Sequence, residues 1–148
     1  MDTHVPLIST RSKGPLGLVH LPRLWLKMRL AAKSKLAEGY HAGKGGADVA
    51  LLNTLGLDSD ATAAFVAESQ PTYLAFEAWI KENVEPERLT SEAIDRFNER
   101  VLSFPKPEPE RSEILGLLGL PKDDTEWISS DLNDLDDWHG FHLALIDV

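Results

Sequence analysis

The chain has 148 residues, 43% of them apolar, with a formal net charge of −9 and no cysteine. This length fits one domain, whose folding buries about 70% of the surface of the unfolded chain. The missing cysteines exclude a disulfide framework, a thiolate metal site and a cysteine nucleophile. No apolar run is long enough to span a bilayer, and the N-terminus lacks the continuous apolar stretch of a secretory signal. The expectation is a cytoplasmic protein without membrane contact.

The charge is unevenly spread. Residues 1–44 hold 8 Lys/Arg against 2 Asp/Glu, net +6, whereas residues 45–148 hold 7 against 22, net −15. Phosphate backbones would be repelled by the larger acidic pole, so nucleic acid is not an expected partner. The simpler expectation is that the basic third packs on the acidic remainder.

Residues 1–18 read as an arm, punctuated by Pro6, Gly14, Pro15 and Gly17, and residues 19–148 as a helical domain. "HLPRLWLKMRL", His20 to Leu30, opens the first helix, with Pro22 in the first turn where a missing N–H is harmless. The spacing predicts a helix from there to about Glu38, with Gly39 as its stop. A glycine-rich loop follows, "EGYHAGKGGA". Asp48 to Leu55 reads as a short helix ended by Gly56. Asp58 or Ser59 caps a helix to about Ser69, and Thr72 caps one ending near Asn83. Thr90 or Ser91 caps a helix that carries Ile94, Phe97, Val101 and Leu102 on one side. Residues 104–109 form a proline-rich connector. "RSEILGLLGLP" is a short apolar helix, and the acidic segment 122–148 contains a terminal helix from about Asn133. No run shows period-2 alternation between hairpin turns. The predicted fold is all-α, a single compact domain of six or seven mostly short helices with an extended N-terminal arm.

On a helical wheel, Leu24, Trp25, Met28, Ala31, Ala32 and Leu36 share one broad face, and Leu26, Leu30 and Ala37 form a second apolar strip. Arg23 and Lys27 lie in the gap between them, near the end of the helix that already carries partial positive charge. Partly buried cations need partners. Either Arg23 and Lys27 pair with carboxylates of the acidic remainder, or they join Tyr40, His41 and Lys44 as an anion site at the helix start. The surplus of carboxylates favours internal pairing.

The run "GLVHLPRLWLKMRLAAKSKLAEGYHAG", with "LLNTLGL", "FEAWIKEN" and "IDRFNE" after it, resembles a bacterial family known as domain of unknown function 5069. The resemblance covers residues 17–100 and rests on Leu21, Pro22, Arg23, Lys27, Arg29, Gly39, Tyr40, Leu55, Gly56, Trp79 and Asn98. Leu26 departs from it, standing where the family usually has an acidic residue before the lysine. The resemblance implies that Arg23, Lys27 and Tyr40 matter together. It carries no known activity.

Other motifs are weak. "GYHAGKGG" lacks the spacing and the Ser/Thr of a phosphate-binding P-loop. His139, His142 and Asp136 are weak candidates for a metal site in a tail that reads better as a solvated acidic face. No cofactor is expected. Trp127 and Trp138 stand in acidic surroundings and suit an interface. With no catalytic signature and a two-sided first helix, the expected role is a non-catalytic homodimer or partner-binding module. The alternative is a binder or enzyme of an anionic, phosphorylated small molecule that uses Arg23, Lys27, Tyr40, His41 and Lys44. A third possibility is a metal-dependent hydrolase built on the histidine tail.

Overall fold

A computed structural model describes residues 2–146. Met1 at the start of the arm and residues 147–148 at the end of the acidic segment lie outside the described residues. The fold is all-α. Among the described residues, seven α-helices run in the order α1 (Leu21–Ala32), α2 (Gly46–Leu55), α3 (Ser59–Ser69), α4 (Tyr73–Asn83), α5 (Ser91–Leu102), α6 (Glu110–Leu118) and α7 (Ser129–Phe141). A 3-10 turn at Pro86–Leu89 leads into α5, and a π-type turn at His142–Ile146 follows α7. Among the described residues there is no strand, only three isolated bridges. None of these helices is long and apolar enough to cross a membrane.

Local chemistry accounts for three of the seven helix starts. Asp58, Thr72 and Thr90 each accept a hydrogen bond from the backbone N–H three residues on, the expected use of an N-cap oxygen. Gly56 and Gly119 close α2 and α6 in the left-handed conformation.

Two boundaries differ from expectation by more than two residues, and both differences are non-local. The first helix ends at Ala32, not near Glu38. Ser34 turns left-handed at φ 56°, and residues 35–37 pair with the arm: His4 N–H donates to Lys35 O at 2.7 Å and Ala37 N–H to His4 O at 3.0 Å. These bonds replace the helical ones. The last helix starts at Ser129, four residues before Asn133. A bridge between Pro105 and Ile128 sets that start, with Lys106 N–H donating to Trp127 O and Ser129 N–H to Phe104 O, both at 2.8 Å.

Helix α1 lies at the centre. It packs on α3 and α4, while α2 packs on α5, and α7 covers α5 and α6. Leu21, Leu24 and Met28 of α1 enter one core with Leu51, Leu55, Val66, Phe76, Ile80 and Phe97. Each fully buried side chain of this kind contributes about 1.5–3 kcal/mol. Trp25 meets Tyr73 edge-on and donates from its indole to Pro71 O, and Trp79 stacks on Phe65.

The segment before α1 is clasped from the far side by α4. The Glu77 carboxylate, 3% exposed, accepts Leu16 N–H through both oxygens and the Tyr73 hydroxyl at 2.6 Å. Glu77→Ala would remove the acceptor of both partly buried donors. Its unfolding free energy in a urea titration should fall by about 1–3 kcal/mol.

Candidate functional site

The site begins with the first two turns of α1. Leu21 and Pro22 open the helix and Arg23 follows them, 5% exposed. Its guanidinium grips Asp137 of α7 in a fork, Nη1 to Oδ2 at 2.6 Å and Nη2 to Oδ1 at 3.1 Å. Planar donors on a planar carboxylate make this one of the strongest polar pairings available to side chains. Nη1 also donates to Pro6 O at 2.8 Å and Ile8 O at 2.9 Å, so the arm is tied to the same group. The Tyr40 hydroxyl donates to Asp137 Oδ1 at 2.8 Å, and the Tyr40 ring lies 6.0 Å from the guanidinium carbon. Burial and the Asp137 carboxylate push the Tyr40 phenol well up, so it stays a protonated donor.

One turn further on, Lys27 Nζ donates to Asp48 Oδ2 at 2.8 Å. Asp48 lies in the first turn of α2, where a negative charge is favourable. It also accepts Gly43 N–H at 2.8 Å, and its other oxygen lies 2.6 Å from His20 Nε2. Burial pushes the Asp48 carboxyl up, but its bonds to His20 and Lys27 outweigh burial and hold it at about 2. An ionised carboxylate can only accept, so the His20 proton sits on Nε2 and Nδ1 accepts the Thr10 hydroxyl at 3.0 Å. Burial depresses the His20 pKa and keeps the ring neutral, against the pull of Asp48. His20 is the N-cap of α1 with φ 72°, a rare backbone that histidine tolerates better than most residues. Gly43 approaches Asp48 at φ 76°, and a Cβ there would strike Ser59 Oγ. Both its conformation and its surroundings require glycine.

These two pairs are walls of one cavity of about 590 Å³. It is lined by all five residues singled out on the sequence: Arg23, Lys27, Tyr40, His41 and Lys44. His41 and Lys44 are exposed at its edge. Internal pairing and cleft-lining are therefore not alternatives, because Arg23 and Lys27 do both. Asp136 also lines the cavity, whereas His139 and His142 do not. Among the described residues no group of three His, Cys, Asp or Glu side chains is placed to hold a metal. Burial, followed by the neighbouring Asp137, pushes the Asp136 carboxyl up.

The far side of the cavity comes from residues not selected on the sequence. Lys106, from the proline-rich connector, donates to Asn133 Oδ1 of α7 at 2.9 Å. Ser129 and Ser130 open α7 there, and Val101, Phe104, Pro107 and Ile114 supply an apolar wall. The charge asymmetry signalled that carboxylates would meet the basic third, but not that Asp48 and Asp137 would be the ones. Helix α7 meets the arm directly through Asp134, which accepts from Ser9 and Arg11, and through Asp131, which pairs with Arg11.

A family model described as domain of unknown function (DUF5069) matches residues 9–137. The chain belongs to that family. The match runs past residue 100, where the recognisable resemblance stops, and ends on Asp137, the partner of Arg23 and Tyr40. No curated protein matches the chain.

Two predictions follow from this network. Truncating one member of a buried ion pair leaves its partner uncompensated, so Asp137→Ala should lower the unfolding free energy by about 3–5 kcal/mol in urea. Arg23→Met combined with Asp137→Leu should recover much of that loss. Acid should act in two steps, because both depressed groups favour the folded state only above their unfolded values. Stability is full above the ordinary histidine value of 6.5 and falls as pH drops below it, as the unfolded state takes up a proton that His20 resists. It falls again between 3.8 and about 2 as Asp48 is protonated. In Tm measured against pH, His20→Asn should remove the upper step and shrink the lower one, because Asp48 then loses part of what holds its carboxyl down.

Proposed function

We propose that this DUF5069 chain binds a small organic anion in the cavity between the start of α1, the loop at 39–47 and the start of α7. The observation that carries this is the convergence of Arg23, Lys27, Tyr40, His41 and Lys44 on a single cavity of about 590 Å³. That volume is within the range of about 300–1,000 Å³ typical of small-molecule sites. The side chains divide the work. Arg23 spends its donors on Asp137, Pro6 and Ile8 and acts as a positioning residue. Lys27 spends one donor on Asp48 and has two more to offer a ligand. Lys44 and His41 stand at the edge, where an incoming anion meets them first. Because Asp48 and Asp137 cancel the charges of Lys27 and Arg23, affinity would come from aimed donors more than from net charge.

Thermal-shift measurements with phosphate monoesters and carboxylic acids test the proposal. A ligand at one hundred times its Kd stabilises by about 2.7 kcal/mol, a rise in Tm of roughly 5–10 °C for a chain of this length. Lys27→Met should weaken a hit about tenfold. If no acid raises Tm, or if every hit is indifferent to both Lys27→Met and Lys44→Met, the proposal fails.

A second reading, self-association, is supported by the apolar residues around the end of α7. Trp138, Leu143, Leu145 and Ile146 are 61%, 51%, 57% and 64% exposed. Several exposed apolar side chains of this size at one helix end suit a partner surface. Light scattering of the whole chain should then give twice the monomer mass, and Trp138→Glu should return it to the monomer. A monomer at high concentration before substitution would dispose of it.

A further inference from the structure

Three features meet at the start of α7. The helix opens without a side-chain cap, since its N-cap is Ile128. Its only first-turn acid, Asp131, points its charge to Arg11 of the arm. The positive end of a 13-residue helix is thus left without an anion of its own. Second, Ser130 is 2% exposed, lines the cavity, and its Oγ has no hydrogen-bond partner. Buried hydroxyls without partners are rare in native proteins, and each disfavours the fold unless something else satisfies it. Third, Lys106 reaches the same wall, with Asn133 Oδ1 at 2.9 Å as its hydrogen-bond acceptor. Burial lowers the Lys106 pKa, Glu110 and Asp136 act against that, and the polar contact Lys106 makes is this neutral amide oxygen. An uncapped helix end, an unused hydroxyl and an unneutralised ammonium all point to one missing group: an anion with several acceptor oxygens.

We infer that the first turn of α7, with Ser130 Oγ and Lys106 Nζ, is the docking point for the acid group of an organic acid whose apolar body lies against Val101, Phe104 and Ile114. This rests on the anion-pocket reading and assigns a head group and a direction within it. The acid head, carboxylate or phosphate monoester, accepts from the Ser130 hydroxyl, the Lys106 ammonium and the free N–H groups of the first turn. The hydrocarbon part covers the apolar wall and excludes water from the ion pair, which strengthens it. Inorganic phosphate lacks that part and binds weakly. A neutral analogue leaves Lys106 unneutralised and binds weakly as well.

The test uses the whole chain with benzoate, phenyl phosphate, inorganic phosphate and benzamide as probes, read by calorimetry and by amide shifts in two-dimensional NMR. One of the two aromatic acids should bind, and the tighter one identifies the head group. The largest amide shifts should fall on Ser130 and Asp131. Lys106→Met should weaken binding about tenfold and Ser130→Ala several-fold, while Lys106→Arg retains most of it. Ser130→Ala should also leave the Tm of the free protein unchanged or raised, because it removes an unsatisfied hydroxyl. A fall in that Tm would mark Ser130 as a structural residue and overturn the assignment. Acids that bind with sensitivity to Lys27→Met but not to Ser130→Ala or Lys106→Met would overturn the docking point and leave the pocket standing. Benzamide binding as well as benzoate would overturn the acid head, and inorganic phosphate matching phenyl phosphate would overturn the apolar body. If none of the acids binds, the docking point and the pocket fall together.

Discussion

The fork between Arg23 and Asp137 organises much of the molecule. It joins α1, the arm and α7 at one buried point, and Tyr40 adds the loop after α1 to the same carboxylate. A buried guanidinium needs partners for its donors, and here the main-chain carbonyls of Pro6 and Ile8 share Nη1 with Asp137, which also accepts from Nη2. The arm follows its course for this reason. Leu16 and Leu18 anchor its end in the core, and the path of its earlier part is set by carbonyls that a cation needs.

A second clasp, Lys27 with Asp48, does for α2 what Arg23 does for α7. His20, Thr10 and Gly43 complete it, each contributing a hydrogen bond that a carboxylate or imidazole in this position would otherwise lack. The cavity lies between the two clasps. Polar pairs hold its near wall and apolar side chains of α5 and α6 form its far wall, a combination suited to a ligand with a charged head and a greasy body. The first apolar face of α1 goes to the core and the cationic stripe beside it faces the cavity, while Leu26 and Leu30 of the second apolar strip stay half-buried.

How much of this could be read from the sequence depends on the range of the interaction. Asp58, Thr72 and Thr90 were legible as caps because a cap is decided within four residues. The end of α1 was not, since His4 supplies the bonds that replace the helix there, and nothing in "AAKSKLAEG" announces a partner thirty positions upstream. Arg23, Lys27, Tyr40, His41 and Lys44 could be grouped because they lie within one helix and the loop after it. Asp48 and Asp137 could not be picked from 24 acidic residues by charge counting, for only the packing of α2 and α7 distinguishes them. Ser130 and Lys106 carried no signal at all. A serine looks the same on paper whether its hydroxyl is satisfied or not.

Asp137 stands 114 positions from Arg23. Closing so long a loop loses chain entropy before any contact repays it. The core of α1 to α5 can collapse on nearer contacts, but the last wall of the cavity waits for α7. During synthesis Arg23 leaves the ribosome long before its carboxylate does, and until then its charge must stay in water. The order of events follows: a chain that has made its core has no pocket, and acquires one only when the acidic helix arrives to neutralise the first.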